Sequence, residues 1–199
     1  MYSIAPSLLQ HYGASLNHFR KSEYIFHEDR PAHFYFQLEE GTVKMFNSGE
    51  TCDFIQGLFA NGESFGEPAL LGDFPYPADA RALADSKIWV LKKANFIQLL
   101  KENPVIHLEL TQVLCKRLCY KTKILTSMTT QRPEDLILII IDHFKNKSCG
   151  PNQPYEVPFT RQTLADLTGL RVETVIRKVK QLADKGELQL HQQRVLRIK

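Results

Sequence analysis

The hydrophobic pattern of this chain changes its period near Leu91, from short strand-like runs to helical spacing. Before it, short aromatic and β-branched runs alternate with turn residues; the runs cover residues 24–26, 34–38, 43–46, 52–55 and 88–91. Runs of this kind are typical of a compact all-β unit, a barrel or a sandwich. Residues 6–19, ahead of the first run, predict a short amphipathic helix.

Beyond Leu91 the apolar residues recur at helical spacing. Residues 95–100 predict a short helix, and Pro104 opens a longer one, because proline is tolerated in the first turn of a helix. Lys121 interrupts the apolar stripe of this helix, which consists of Leu110, Leu114, Leu118, Leu125 and Met128. A helix of about 25 residues with a narrow stripe favours packing against a partner helix. The alternative is a helix that lies on its own β unit.

Length and composition favour a soluble globular protein. The 199 residues are 43% hydrophobic and 24% charged, which fits one or two domains with sizeable cores. No apolar run approaches the roughly 18 residues of a membrane span, and the longest run, residues 136–141, predicts a core segment. The N-terminus lacks the basic flank and apolar stretch of a signal peptide. We therefore expect a cytoplasmic protein with no membrane partner.

The cysteines and histidines do not predict a metal site. Cys52, Cys115, Cys119 and Cys149 are scattered, which favours reduced thiols over a disulfide framework. Cys115 and Cys119 lie four residues apart on the long helix, a spacing that suits a redox or metal pair across a dimer, although buried structural cysteines are the favoured interpretation. We expect the His-Glu-Asp run at residues 27–29 to be ordinary polar residues on the surface and not a metal site, because neighbouring strand residues point to opposite faces.

Charge is distributed unevenly along the chain. Residues 1–103 hold 9 Lys and Arg against 13 Asp and Glu, whereas residues 104–199 hold 16 against 9. The basic second half indicates contact with a polyanion. Random unevenness of a solvated surface is the alternative.

A helix-turn-helix pattern is the most informative motif of the chain. Thr160 can cap a helix over residues 161–167, and Gly169 can supply the left-handed turn after it. The small Ala165 allows a second helix, over residues 171–182, to approach the first. The pattern therefore predicts two short helices joined by a tight turn.

The second of these helices has one apolar side and one basic, hydrogen-bonding side. The apolar side consists of Val172, Val175, Val179 and Leu182, and the other side of Arg171, Glu173, Thr174, Arg177, Lys178 and Gln181. Such a helix can enter the major groove of DNA, where Arg pairs with guanine and Glu accepts from cytosine. A merely solvated helix face is the alternative. Residues 188–190 and 195–198 then predict two strands, which form a wing together with residues 191–194 between them.

Three segments, in this order, resemble the cyclic-AMP receptor/FNR family of transcription factors. YIFHEDRPAHFYFQLEEGTVKMF (24–46) is similar to the opening strands of the family's sensor barrel, and GESFGEPALL (62–71) to the start of its phosphate-binding cassette. TRQTLADLTGLRVETVIRKVKQLADKGEL (160–188) is similar to its recognition segment. The resemblance implies an α+β protein with an N-terminal jelly-roll β-barrel (double-stranded β-helix) sensor, a long dimerisation helix and a C-terminal winged helix-turn-helix. The expected bounds of these parts are 1–103, 104–130 and 131–199.

The resemblance further implies a homodimer that reads a roughly palindromic operator in double-stranded DNA, with RNA polymerase as a further partner. Glu173 and Arg177 correspond to the principal base-reading residues, with Thr174 close to the DNA backbone. The full candidate set for DNA binding is Thr160, Arg161, Gln162, Arg171, Val172, Glu173, Thr174, Arg177, Lys178 and Arg194. Val172 resembles FNR proteins, whereas Ile176 and Lys178 depart from the family pattern and leave the operator preference open.

The sensor departs from the pattern of cyclic-nucleotide binders. In those relatives an Arg, followed by Ser or Thr, stands ten residues after the cassette Glu and holds the cyclic phosphate. Here Glu67 is present, but Pro77 and Ala78 take those places, and neither side chain can donate a hydrogen bond. Arg81 would serve only if the loop were rearranged. We expect no cyclic-AMP binding, and an unidentified small-molecule effector or none, at a candidate pocket of Phe65, Gly66, Glu67 and Arg81.

Other functions find less support in the sequence. An FNR-like iron–sulfur cluster needs thiolates clustered near the N-terminus, and no cysteine precedes Cys52. An enzyme is disfavoured, because the chain has no nucleophile elbow and no Gly-rich phosphate loop before a helix. A protein-interaction module that does not read DNA is the remaining alternative.

Overall fold

The five runs predicted as strands belong to two four-stranded antiparallel sheets in the first half of the chain, together with three strands that were not predicted, at residues 15–19, 64–65 and 79–82. The computed structural model describes residues 3–49, 52–130, 132–149, 153–191 and 194–197. The strands of this half are β1 (Ser15–Phe19), β2 (Tyr24–Phe26), β3 (Phe34–Glu40), β4 (Val43–Ser48), β5 (Asp53–Phe59), β6 (Ser64–Phe65), β7 (Asp79–Ala82) and β8 (Ser86–Lys92). One sheet has the order β1-β8-β3-β6 and the other β2-β7-β4-β5. The predicted jelly-roll unit is confirmed.

The two central strands of the first sheet, β3 and β8, are buried on both faces. In β8, Ile88 packs into the core between the two sheets, whereas its neighbours Trp89 and Leu91 pack into a second core on the other side. In β3, Phe36 belongs to the core between the sheets and Tyr35 to the second core. Successive strand residues point to opposite faces, so burial of both faces explains why these runs are almost continuously apolar.

Helices cover the outer face of the first sheet. They are α1 (Pro6–His11), α3 (Lys93–Glu102) and the start of α4 (Pro104–Thr130), whereas α2 (Glu67–Gly72) follows β6. Phe96 of α3 stacks on Tyr35 with ring centroids 4.1 Å apart. Leu9 and Leu110 are also fully buried in this core. The beginning of the long helix is thereby part of the sensor unit.

The second compact unit begins within α4, because the chain divides between Arg117 and Leu118. It contains α5 (Pro133–Ser148), β9 (Tyr155–Val157), α6 (Arg161–Thr168), α7 (Val172–Asp184), β10 (Leu188–His191) and β11 (Arg194–Arg197). Its strands form one sheet in the order β10-β11-β9. Leu136, Ile137, Ile140 and Ile141 are buried on α5, which confirms the predicted core segment.

The predicted helix over residues 6–19 is wrong in its second half. The helix ends at His11, Gly13 adopts a φ of +83°, and residues 15–19 pair with β8 as strand β1. A left-handed residue ends an α-helix, and the open edge of β8 supplies hydrogen-bond partners for the chain beyond it. Strand β9, which pairs with β11, was not predicted from the sequence.

The expectation of buried cysteines on the long helix is wrong. Cys115 and Cys119 are both exposed free thiols, and Cys52 is exposed as well. These two positions lie on the side of α4 that faces away from its own core, which a four-residue spacing alone does not reveal. Among the described residues, no helix is both long and apolar enough to cross a lipid bilayer.

Candidate nucleic-acid interface and sensor site

The helix-turn-helix has the geometry that its sequence predicts. The side-chain oxygen of Thr160 accepts a hydrogen bond from the backbone N–H of Thr163 at 3.0 Å and caps α6. Gly169 adopts a φ of +69°, and its N–H donates to the carbonyl of Ala165 at 2.8 Å. Ala165 itself is buried. A larger residue there would push α7 away, so this small residue and the left-handed glycine set the angle between the two helices.

Helix α7 buries one side and exposes the other. Val175, Val179 and Leu182 are buried, whereas Glu173 and Arg177 are exposed. Arg171, at the start of the helix, is exposed as well, and Val172 and Thr174 are half-buried. Glu173 lies in the first turn, where the helix dipole stabilises a negative charge. The exposed side therefore offers a carboxylate acceptor one turn from a guanidinium donor.

Sequence reasoning omitted one exposed residue of this side, Ile176. Its side chain is 52% exposed, although an isoleucine in a helix of a small domain normally lies in the core. It follows Glu173 by three residues, so these two side chains are neighbours on the helix surface. The signal was available, because Ile176 falls outside the apolar stripe of Val175, Val179 and Leu182.

Lys178 is a correction to the predicted DNA-binding set. Its ammonium pairs with the carboxylate of Glu134 on α5 at 2.9 Å, and both side chains are largely buried. Lys185 lies at 3.9 Å from the other oxygen of the same carboxylate. The Lys178 ammonium holds the pKa of Glu134 below its ordinary value of 4.5. A lysine engaged in this way positions α7 and is not free to contact DNA.

The other candidates of α6 and of the wing differ in their freedom to bind. Gln162 is exposed and donates to Asp166 one turn further along the helix at 2.8 Å, whereas Arg161 is half-buried. Arg194, at the start of β11, pairs with Glu156 of β9 at 2.9 Å, and both side chains are more than half exposed. Arg194 is therefore available to a partner. The predicted wing tip, residues 192–193, lies outside the described residues.

The cassette carboxylate of the sensor is fully buried and already partnered. Glu67 accepts a hydrogen bond from the hydroxyl of Ser64, and the guanidinium of Arg117 lies 3.2 and 3.4 Å from its two oxygens. The second guanidinium nitrogen of Arg117 donates to the backbone carbonyl of Ser64 at 2.8 Å. Sequence reasoning found Glu67 but missed Arg117, which is 50 residues away along the chain.

Aromatic side chains fill the space beside Glu67. Phe65 is fully buried and stacks on Phe36 at 5.4 Å, and Phe26 stacks on Tyr76 at 3.7 Å. Gly66 has a φ of +80°, and a Cβ at this position would lie 3.3 Å from Tyr76 and 3.4 Å from Phe26. Phe65 and Gly66 thus belong to the packed core between the sheets.

The positions that would hold a cyclic phosphate carry no side-chain donor. Ala78 is fully buried, and the backbone carbonyl of Pro77 accepts a hydrogen bond from Asn47 at 2.8 Å. A carbonyl oxygen is a hydrogen-bond acceptor and offers nothing to an anion. This segment therefore has the chemistry of a structural turn.

Arg81 is a second correction, because it does not join the candidate effector pocket. Its neighbours Ala80 and Ala82 are buried, so the alternation along β7 directs Arg81 to the opposite face. There its guanidinium lies 3.7 Å from Asp53 and 4.8 Å from the ring centre of Phe46. The contacts of Arg81 are thus to the outer face of the second sheet, away from Glu67.

The apolar stripe of α4 divides between two environments. Leu110 is 0% exposed in the sensor core, and Leu114 packs partly against the same core. Leu110 therefore does not form part of a dimer contact, which corrects the prediction. Leu118 is 68% exposed, and the same exposed apolar character is found at Val105, Leu108, Leu125 and Met128. These residues are free to pack against another helix.

The described residues contain no group of three or more His, Cys, Asp or Glu that could hold a metal ion. His27, from the run that invited a metal interpretation, lies 3.3 Å from the carboxylate of Asp79 and stacks on Tyr24. These contacts are those of an ordinary surface cluster.

Comparison with known proteins gives both parts of the chain a family. The sequence model of the cyclic nucleotide-binding domain matches residues 16–103, and that of the Crp-like helix-turn-helix domain matches residues 136–199. A cAMP-dependent protein kinase regulatory subunit from Hypocrea atroviridis is 37% identical over 83 residues, or 41% of this chain. The chain spans only 17% of that subunit's length, so this similarity concerns one domain.

Two further relatives are similar over nearly the whole chain. The cyclic AMP receptor protein of Thermus thermophilus is 23% identical over 184 residues, which cover 88% of this chain and 82% of that protein. The solved structure of the c-di-GMP-responsive global regulator CLP from Xanthomonas campestris has a TM-score of 0.77 at 19% identity, and covers 98% of this chain and 100% of that one. Because a cyclic nucleotide-binding domain is followed by a Crp-like helix-turn-helix domain, this chain belongs to the cyclic-AMP receptor/FNR family of DNA-binding transcriptional regulators.

Proposed function

We propose that this regulator acts in the cytoplasm as a homodimer that reads a roughly palindromic operator through the exposed side of α7. The observation that carries the proposal is that α7 exposes Glu173 and Arg177 on one side and buries its opposite side. Arg binds guanine through two hydrogen bonds in the major groove, and Glu accepts from the amino group of cytosine. No catalytic step is part of the proposal, since the family consists of regulators and not of enzymes.

Other exposed residues extend the base-reading side. Ile176 offers an apolar surface that suits a thymine methyl group. Arg171 and Val172 lie at the start of the helix, where base edges are also within reach. Thr160, Gln162 and Arg194 suit phosphate contacts, which position the protein without reading sequence.

The dimer is supported by the exposed apolar side chains of α4. Leu118, Leu125 and Met128 recur at intervals of seven and three residues, which is the repeat of two helices packed along their length. A symmetric dimer places two recognition helices on half-sites about one helical turn apart, and a palindromic operator mirrors this symmetry. RNA polymerase is the further partner through which such a dimer would regulate transcription.

We further propose that the sensor of this regulator does not bind cyclic AMP. The side chains of Pro77 and Ala78 offer no hydrogen-bond donor to a phosphate, and Arg81 faces away from the cassette and pairs with Asp53. A titration with cyclic AMP should therefore leave operator affinity unchanged. A rise in affinity at micromolar cyclic AMP would refute this part of the proposal.

The test of DNA reading is a selection of bound fragments from a genomic library, at physiological salt and without added ligand. We expect a palindromic motif. The variant Arg177→Ala should then lose roughly 1–3 kcal/mol of operator binding and relax one base pair in each half-site. Arg194→Ala should weaken binding to all sequences alike, because a phosphate contact carries no sequence information.

A matched control is Lys101→Ala, which removes one positive charge from the exposed surface of α3 in the sensor. This variant should bind like the wild type. An unchanged motif in Arg177→Ala would contradict the assignment of this residue. Failure of the wild type to select any motif, with or without cell extract, would favour a protein partner for the winged helix.

A further inference from the structure

The cassette of the sensor contains a complete internal partner set for its buried carboxylate. Glu67 is 0% exposed, and a carboxylate removed from water is stable only if it is paired and hydrogen-bonded. Here the hydroxyl of Ser64 and the guanidinium of Arg117 satisfy both of its oxygens. Glu67 therefore has no oxygen in need of an external ligand.

Arg117 is held in place from several directions. One of its terminal nitrogens faces Glu67, the other donates to the carbonyl of Ser64 at 2.8 Å, and the guanidinium lies 5.3 Å from the ring centre of Phe59. Arginine presents several donors in a rigid, planar fork, so these contacts define one position of the side chain. A lysine could replace the charge but not the whole set of contacts.

The position of Arg117 along the chain gives this ion pair a second consequence. Arg117 lies on α4, and it is the last residue of the first compact unit, since the division falls directly before Leu118. Glu67 opens α2, the cassette helix. The ion pair thus connects the cassette to the long helix at the point where that helix leaves the sensor.

We propose that Arg117 is the internal occupant of the cassette and a positioning residue for α4, so that operator binding requires no small molecule at Glu67. The proposal rests on the proposed function, because it assigns to Arg117 the coupling of the sensor to the DNA-binding winged helix. Aromatic packing beside Glu67 supports it: Phe65 is fully buried, and Phe26 stacks on Tyr76 at 3.7 Å. Side chains of the chain itself are thus packed beside Glu67.

The experiment compares operator affinity of full-length variants by fluorescence anisotropy, on the operator obtained by selection. Arg117→Met should bind about 5- to 150-fold more weakly, the usual range of coupling between two sites. Arg117→Lys should lie between this variant and the wild type. Lys116→Met is the matched control, because Lys116 is the exposed neighbour on the same helix, and it should bind within about twofold of the wild type.

The double variant Glu67→Gln/Arg117→Met distinguishes positioning from general damage to the fold. Removing both charges avoids an unpaired buried carboxylate, so this variant should melt close to the wild type. It should nevertheless retain the weak operator binding of Arg117→Met, because the link between α2 and α4 is still missing. Wild-type operator affinity in a folded Arg117→Met, or in the double variant, would overturn the proposal.

A second measurement is independent of DNA. Hydrogen–deuterium exchange of the amides around residues 113–121 should be faster in Arg117→Met, and in the double variant, than in Lys116→Met. If the wild type binds no DNA at all, the proposed function is wrong, whereas the positioning role of Arg117 is still tested by the hydrogen–deuterium exchange. Equal exchange rates in all variants would refute the positioning role. A rise of about tenfold or more in wild-type operator affinity with cyclic AMP or cyclic GMP as probe would refute self-occupancy.

Discussion

Arg197, the last residue of β11, is a nearly buried cation whose contacts all lie within the winged-helix unit. Its side chain is 10% exposed. Two of its nitrogens donate to the two oxygens of Asp142 on α5, at 2.7 and 3.1 Å. The remaining nitrogen donates to the backbone carbonyl and the carboxylate of Glu187, both at 2.8 Å. Arg197 therefore joins the last strand to α5 and to the turn before β10.

The loss of stability in Arg197→Met depends on how far the residues of its ion pairs are exposed to water. Removing one partner of a buried ion pair costs about 3–5 kcal/mol. Here the carboxylates of Asp142 and Glu187 are 38% and 33% exposed, so water can rehydrate them, and we expect a smaller loss of about 2–3 kcal/mol in the free energy of unfolding. Methionine retains most of the buried apolar stem, so little of this loss comes from packing.

Arg194→Met is a matched control, because it is the same substitution on the same strand. The ion pair of Arg194 with Glu156 is 71% and 51% exposed, and exposed pairs contribute only about 0–1 kcal/mol. Differential scanning calorimetry of the full chain should show the transition of the winged-helix unit lowered by about 10 °C in Arg197→Met. Arg194→Met should leave this transition nearly unchanged but weaken operator binding. Equal melting of the two variants would refute the reasoning.

Two further predictions concern the ion pair of α7 and the exposed side of α4. Because the Lys178 ammonium lowers the pKa of Glu134 from its ordinary 4.5, their pair stabilises the fold above that pH and loses this contribution as the pH falls through the lowered value. Lys178→Met should thus be destabilised at pH 7, and urea unfolding should show the difference shrinking below pH 4.5; a constant difference would contradict the assignment. Leu118→Glu should give folded monomers in light scattering, whereas Leu110→Ala should remain dimeric and lose about 2–5 kcal/mol of stability. A dimeric Leu118→Glu would exclude α4 as the dimer contact.

The helix-turn-helix was predictable from sequence because its determinants are local. The cap at Thr160, the left-handed Gly169 and the apolar stripe of α7 all act within a few residues of one another. Hydrophobic periodicity likewise predicted most of the strands and the long helix. It failed at residues 15–19, where pairing with β8 decided between helix and strand.

Which charged side chains are free to bind was decided only by the tertiary structure. Lys178 looks like a DNA contact until Glu134, 44 residues earlier, is found beside it. Glu67 looks like a ligand-binding residue until Arg117 is found against it. The sequence by itself determined the order of the elements and which face of α7 is apolar, since these depend on local period. The partners of each charge depend on which distant segments are packed together, and no local pattern encodes that.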